Sequence, residues 1–182
     1  MALPVSNVER ELRHTRRVRY EGYKRTDGLW DIEAHLSDIK NHDFDLKTGV
    51  RRAGLPVHEM WLRITIDRAL TIVDATASSD AVPYPGGCET IAPAYRKLIG
   101  LSLRTNFRKD VAGLFGGTRG CTHITEMLTG LPTAAIQTFA GEFPEERADG
   151  KKPFQLDKCH ALETTTETVR KWYPKWYRKK TA

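Results

Sequence analysis

Disulfide frameworks and zinc ribbons are excluded by what this chain is short of. It has three cysteines, Cys88, Cys121 and Cys159. An odd number at wide spacing makes a poor disulfide framework, and no CxxC pair offers a ribbon or thioredoxin-like motif. The expectation is reduced thiols in a reducing compartment, available for chemistry or metal. Long apolar runs are also missing, and nothing approaches the ~18 residues of a membrane span. Residues 1–19 lack the apolar centre of a secretory signal peptide, so the chain is expected to be cytoplasmic. Internal repeats and low-complexity tracts are absent as well.

What is present is ordinary for a globular protein: 182 residues, 40% hydrophobic and 29% charged. That length suits one domain with a sizeable core. A single domain is expected over residues 10–182, with a core at 10–140 and a connector, a C-terminal helix and a basic tail at 141–182. The net charge of +6 is concentrated at the two ends. Arg10, Arg13, Arg16, Arg17 and Arg19 crowd one, and Lys171, Lys175, Arg178, Lys179 and Lys180 the other. Basic ends can bind nucleic acid, but a solvated face and tail explain them more simply, so nucleic acid is disfavoured as a partner.

Period decides the fold class. Residues 13–25 read as a strand, Thr26-Asp27-Gly28 as a turn, and 29–40 as a second strand. Trp30, Ile32, Ala34 and Leu36 share one parity there, with Asp31, Glu33 and His35 on the other. Residues 41–56 are polar and read mostly as loop. Met60, Leu62, Ile64 and Ile66 mark a third strand, and Val73, Ala75 and Ala77 a fourth, joined as a second hairpin. After the Pro/Gly loop at 79–87 the period changes to helical. Helices are expected over 88–99, with Pro93 near the first turn, over 107–115, from Cys121 to about Phe139 with breaks at Gly130 and Pro132, and over 156–173. Residues 141–154 read as a polar connector. Strands first and helices after describe an α+β domain: a four-stranded antiparallel sheet of two hairpins, helices on one face.

The chemistry is expected around Gly120-Cys121-Thr122-His123. Cys121 and His123 sit at a loop-to-helix junction, where free backbone N–H groups and the helix dipole favour a thiolate. Cys88 occupies a similar junction, and His58 opens the third strand. His58, Cys88, Cys121 and His123 carry the ligand types for zinc or iron, provided that one strand end and two helix starts converge. Each has a plainer reading, as a small buried hydrophobe for the cysteines and a surface group for His58. Tyr84, Asp67 and Asp80 are candidate supporting or acid–base groups. Cys159-His160 falls within the expected last helix, where adjacent side chains point about 100° apart and cannot easily share a target.

Four ordered motifs also carry a resemblance. Arg25-Thr26-Asp27-Gly28-Leu29-Trp30-Asp31-Ile32-Glu33, Pro56-Val57-His58-Glu59-Met60, Pro83-Tyr84 with Cys88, and Gly120-Cys121-Thr122-His123 together resemble the bacterial DUF2889 family, over roughly residues 10–140. That family's function is unknown, so the resemblance implies no mechanism. The order of ligands and elements is also similar, as an analogy, to the IscU/NifU type of iron–sulfur scaffold. His58, Cys88 and Cys121 would take the three ligand places, and Met60 stands where those proteins carry an Asp. A zinc or iron site is what this likeness implies.

The expected function is a cytoplasmic, metal-dependent enzyme of hydrolase or lyase type acting on a small molecule. Cys121, His123 and His58 are its candidate catalytic residues, and His58, Cys88, Cys121 and His123 its candidate zinc or iron ligands. A metal or iron–sulfur scaffold, a metal-free enzyme with Cys121 as nucleophile, and a nucleic-acid-binding module are the alternatives. Assembly into a homo-oligomer is left open.

Overall fold

The computed structural model describes residues 3–142 and 150–180. The chain divides into two compact units, Met1–Thr138 and Phe139–Ala182. The first is built on a four-stranded antiparallel sheet in the order β1-β2-β5-β6, comprising β1 (His14–Lys24), β2 (Trp30–Lys40), β5 (Pro56–Ile66) and β6 (Ile72–Ala81). The α+β class and the two-hairpin sheet are therefore as the period-2 patterns predict.

Alternation sorts the two faces. The inward parity of β2 and β5 supplies Trp30, Ile32, Ala34, Leu36, Met60, Leu62, Ile64 and Ile66, all buried. Burying one such side chain stabilises the fold by roughly 1.5–3 kcal/mol. Directly paired residues share a face, so the rows can be read across the sheet. Gly22, Ile32 and Ile64 form one row, Tyr20, Ala34 and Leu62 the next, and Val18, Leu36 and Met60 the third. The last row is polar: Arg16, Asp38 and His58. The opposite face carries cross-strand polar and aromatic pairs, among them Glu33 with Arg63 and His35 stacked on Trp61.

Helices cover the apolar rows: α1 (Phe107–Phe115), α2 (Thr122–Leu128) and α3 (Leu131–Thr138). They bury Phe107, Val111, Phe115, Ile124, Met127, Leu128, Leu131 and Ala135. Two glycines of the first unit mark where they lie directly on the strands. A Cβ at Gly22 of β1 would strike Thr138 of α3, and one at Gly130, between α2 and α3, would strike the Tyr20 ring. The Tyr20 hydroxyl in turn donates to the Met127 carbonyl at 2.8 Å.

Several expectations need correction. Residues 41–56 are mostly loop, as expected, but they also hold a small separate hairpin of β3 (Phe44–Leu46) and β4 (Gly49–Arg51), closed by Gly49 at φ 121°. In β6 the buried pair is Ile72 and Ala75, and Val73 is exposed. A bulge pairs Ile66 with Ile72 and Thr65 with Asp74, leaving Val73 as the extra residue. One inserted residue flips the parity that simple alternation assumes. The helix expected at 88–99 is a 3-10 helix, Glu89–Leu98. Pro93 lies inside it rather than in its first turn.

The second unit departs most. The single helix expected over 156–173 is replaced by a 3-10 turn at His160–Leu162 and a short α4 (Glu167–Trp172). Asp157 adopts φ 62°, a left-handed conformation that interrupts a helix. Its carboxylate accepts from the Thr164 N–H at 2.8 Å and from Lys152 Nζ at 2.7 Å. Those two partners hold Asp157 down to a pKa of about 2. The run Thr164-Thr165-Thr166 is β-branched and poor in helix propensity, and Thr166 instead caps α4 by accepting from Val169 N–H. The connector expected at 141–154 lies partly outside the described residues. Among those described, no helix is long and apolar enough to cross a membrane.

Gly22→Ala is expected to destabilise the protein by about 1–3 kcal/mol, because Thr138 and its helix must shift to make room. A urea midpoint equal to wild type would show that α3 does not rest on β1.

Candidate metal and nucleophile site

The apolar face of the sheet ends in one buried carboxylate. Asp38 continues the inward parity of Trp30, Ile32, Ala34 and Leu36, and is only 5% exposed. Asp38 and His58 are cross-strand partners, so their side chains stand side by side on the helix-covered face. The register shifts immediately beyond them, where Ile39 pairs with Pro56 and Val57 is the extra residue. Such bulges re-aim side chains and end regular pairing. From above, α2 brings His123 in its first turn.

The geometry is compact. Asp38 Oδ2 lies 3.2 Å from His58 Nδ1 and 3.6 Å from His123 Nε2. The two imidazoles stack, with centroids 3.8 Å apart and planes 29° apart. One ligand atom from each of Asp38, His58 and His123 falls within 4.8 Å of the other two, so the three could hold a metal ion. The other carboxylate oxygen, Oδ1, accepts from His14 Nε2 at 2.9 Å and lies 3.9 Å from Arg16 Nε. Arg16 also reaches Glu126 of α2 at 2.8 Å, tying β1 to the helix that carries His123.

Cys121 approaches from the other side of the His123 ring. Its Sγ is 3.9 Å from His123 Nδ1 and 3.8 Å from Met60 Sδ. The Cys121 backbone is pinned by Tyr95, whose hydroxyl accepts the Cys121 N–H at 2.9 Å and is 3.0 Å from the Cys121 carbonyl. Thr125 Oγ1 lies 2.8 Å from the same hydroxyl. Tyr95 is fully buried and stacks on Phe115. Cys121 therefore stands on a fixed backbone although it sits in a loop.

Burial lowers the pKa of His58, and the neighbouring His123 lowers it further against the pull of Asp38. Burial likewise lowers His123, with Arg16 adding to the effect and Asp38 and Glu126 opposing it. Both rings therefore favour the neutral form, which is the form that binds metal or accepts a proton.

Of the four expected site residues, His58 and His123 join Asp38 in the metal-capable group, and Cys121 lies against His123 but outside that group. Cys88 does not join the metal-capable group; it is a free, partly exposed thiol just before the 3-10 helix. Asp38, His14 and Arg16 were not anticipated. An acid on the inward parity of an otherwise apolar strand was the available signal for Asp38. Asp67 instead organises the β5–β6 turn, accepting from the Ala69 and Thr71 N–H groups at 2.9 Å each. Tyr84 is 55% exposed. Cys159 is exposed and His160 begins the 3-10 turn, so neither lies in a helix interior.

Fold and site together define an α+β domain with a carboxylate–imidazole cluster at one end of its sheet and a thiol beside it. A family model described as a protein of unknown function, DUF2889, matches residues 14–137, and the chain belongs to that family. The match takes in every residue of the cluster. No curated protein and no solved structure matches the chain, so the likeness to the IscU/NifU scaffold finds no structural neighbour.

Because both imidazoles are biased towards neutrality, the unfolded chain binds more protons than the folded one just below the ordinary histidine pKa of 6.5. Their contribution to stability is complete above that value and is lost as pH falls towards the lowered folded values. The urea midpoint should therefore drop between about pH 7 and pH 5, and a His58→Gln, His123→Gln double variant should show a shallower drop. Equal slopes for the two proteins would rule these histidines out as the source.

Proposed function

We propose that Asp38, His58 and His123 bind a divalent transition metal, zinc or iron, and that the protein is a metal-dependent enzyme of hydrolase or lyase type acting on a small molecule. The observation that carries this reading is the convergence of one carboxylate oxygen and two imidazoles biased towards neutrality. Ligands about 2.0–2.1 Å from a tetrahedral ion lie ~3.3–3.4 Å apart. The Asp38 distances of 3.2 and 3.6 Å bracket that spacing.

Charge supports the same reading. Around the cluster stand two formal negative charges, Asp38 and Glu126, and one formal positive charge, Arg16. A buried carboxylate is costly unless compensated, and a dication would supply what the protein leaves short. Two histidines and one carboxylate suit zinc or non-haem iron and leave coordination positions open. A metal so held would activate water or polarise a carbonyl. The protein's own part is to hold the ligands. His14 orients the carboxylate through Oδ1, and Arg16 joins the strand of Asp38's neighbour to the helix of His123. The side chains of His58 and His123 are 18% and 23% exposed, so a small substrate can reach the site.

Protein produced without a His-tag should carry close to one equivalent of zinc or iron by elemental analysis. Asp38→Asn and His58→Gln should each lower metal affinity at least about tenfold, whereas Cys88→Ser should leave it unchanged. A tag-free protein that neither retains nor rebinds zinc or ferrous iron would remove this reading.

A further inference from the structure

His123 stands between Cys121 and Asp38 in its contacts, with a different ring nitrogen nearest each of them. Nδ1 faces the Cys121 thiol at 3.9 Å, and Nε2 faces the Asp38 carboxylate at 3.6 Å. That is the relation of a nucleophile, its base and the group that orients the base, which is recognised by geometry and roles rather than by order in the chain. We infer that Cys121 is a catalytic nucleophile with acyl-transfer activity, acting on an ester or thioester of a small carboxylic acid. This does not rest on metal binding.

Three features favour a reacting thiol over a packing one. A Cys buried only for packing has no need of an imidazole at its sulfur, whereas the Cys121 sulfur points at one. The carboxylate behind that ring is fixed by His14 and is hardly exposed. The nucleophile's backbone is held on both sides by the Tyr95 hydroxyl, so its position does not depend on the loop around it. The separations are longer than direct hydrogen bonds, as is common for catalytic pairs before substrate tightens them. The other neighbour of the sulfur is Met60, in the row with Leu36 and Val18. An acyl group on the sulfur would therefore lie against apolar side chains, which suits a short hydrocarbon acyl chain better than a charged one.

The step balances without an oxidant or reductant. His123 Nδ1 removes the thiol proton as the Cys121 sulfur attacks the acyl carbon. The tetrahedral intermediate collapses, the bond to the alcohol or thiol breaks, and that leaving group departs with the proton from His123. Water, deprotonated by the same nitrogen, then attacks the thioester, releasing the acid and regenerating the thiol.

The test uses the full chain, stripped of metal by chelation and dialysis, with p-nitrophenyl acetate as acyl donor. The chain contains its own control, the exposed thiol of Cys159. Peptide mass spectrometry at short times should find acetyl on Cys121 at least about tenfold sooner than on Cys159. His123→Asn should slow acetylation of Cys121 by about a hundredfold or more, leave Cys159 unchanged, and be partly rescued by added imidazole. Rescue distinguishes a lost base from a disturbed structure. Acetylation of Cys121 no faster than that of Cys159 overturns the inference, and this comparison stands even if the variant fails to fold. Added zinc should suppress acetylation of Cys121, because the ion takes the carboxylate and ring that serve the thiol. A protein that binds no zinc yet acetylates Cys121 would refute the metal reading and uphold this one. One that binds zinc but never acetylates Cys121 selectively would do the reverse.

Discussion

A carboxylate buried at the end of an apolar sheet face is the constraint that organises this molecule. Water cannot solvate Asp38, so the protein must. Uncompensated, such a charge would cost several kcal/mol. The compensation comes from three chain regions: His14 and Arg16 on β1, His58 on β5 and His123 on α2. Each depends on the others' register. A one-residue slip of β2 would turn Asp38 to the opposite face and bring Asp31, Glu33 and His35 into the apolar rows, so the polar row and the hydrophobic rows enforce the same pairing.

The packing around the row serves its geometry. Gly22 and Gly130 let the helices lie close on the strands, and the Tyr20 hydroxyl ties the end of α2 to β1. Arg16 and Glu126 make a second tie on the same helix. The start of α2 is fixed separately, through Tyr95 and Thr125. A short helix of seven residues is marginal alone, so these ties together with Ile124, Met127 and Leu128 determine where His123 stands. The precision of the site therefore rests on buried groups some distance from it.

How far the sequence discloses this follows from what each signal encodes. Alternation is local, so β1, β2 and β5 were legible almost to the residue. Bulges are not local: Val73 joins the inward set by simple alternation and is exposed, because the register of its partner strand decides its side. The last helix failed for a different reason, since apolar spacing over 156–173 outvoted a β-branched run and a left-handed Asp157. Within the site, His58, Cys121 and His123 were found from residue type and position at element ends. Cys88 shared that signature but does not join the group of Asp38, His58 and His123. His14 and Arg16 were hidden among basic residues that looked like a solvated strand face. They became legible only once pairing placed them beside Asp38.

The two nitrogens of His123 impose a choice on the site. A metal on Nε2 would draw in Asp38 as a ligand and leave Nδ1 carrying the ring proton. In that state the ring could donate to the Cys121 sulfur but could not take a proton from it. Without the ion, Nε2 stands 3.6 Å from the Asp38 carboxylate, and Nδ1 is the nitrogen that faces the thiol. On the two readings proposed above, His123 and Asp38 would serve either a metal ion or the thiol, but not both on one molecule at one time. His58 breaks the symmetry between the two. It lies 3.2 Å from Asp38 and stacks on His123, yet has no part in the contacts that run from sulfur to carboxylate. A neutral imidazole beside a carboxylate is of most use as a further ligand, which is why the metal reading is the primary one for the resting protein and the thiol is the group whose reactivity the ion would govern.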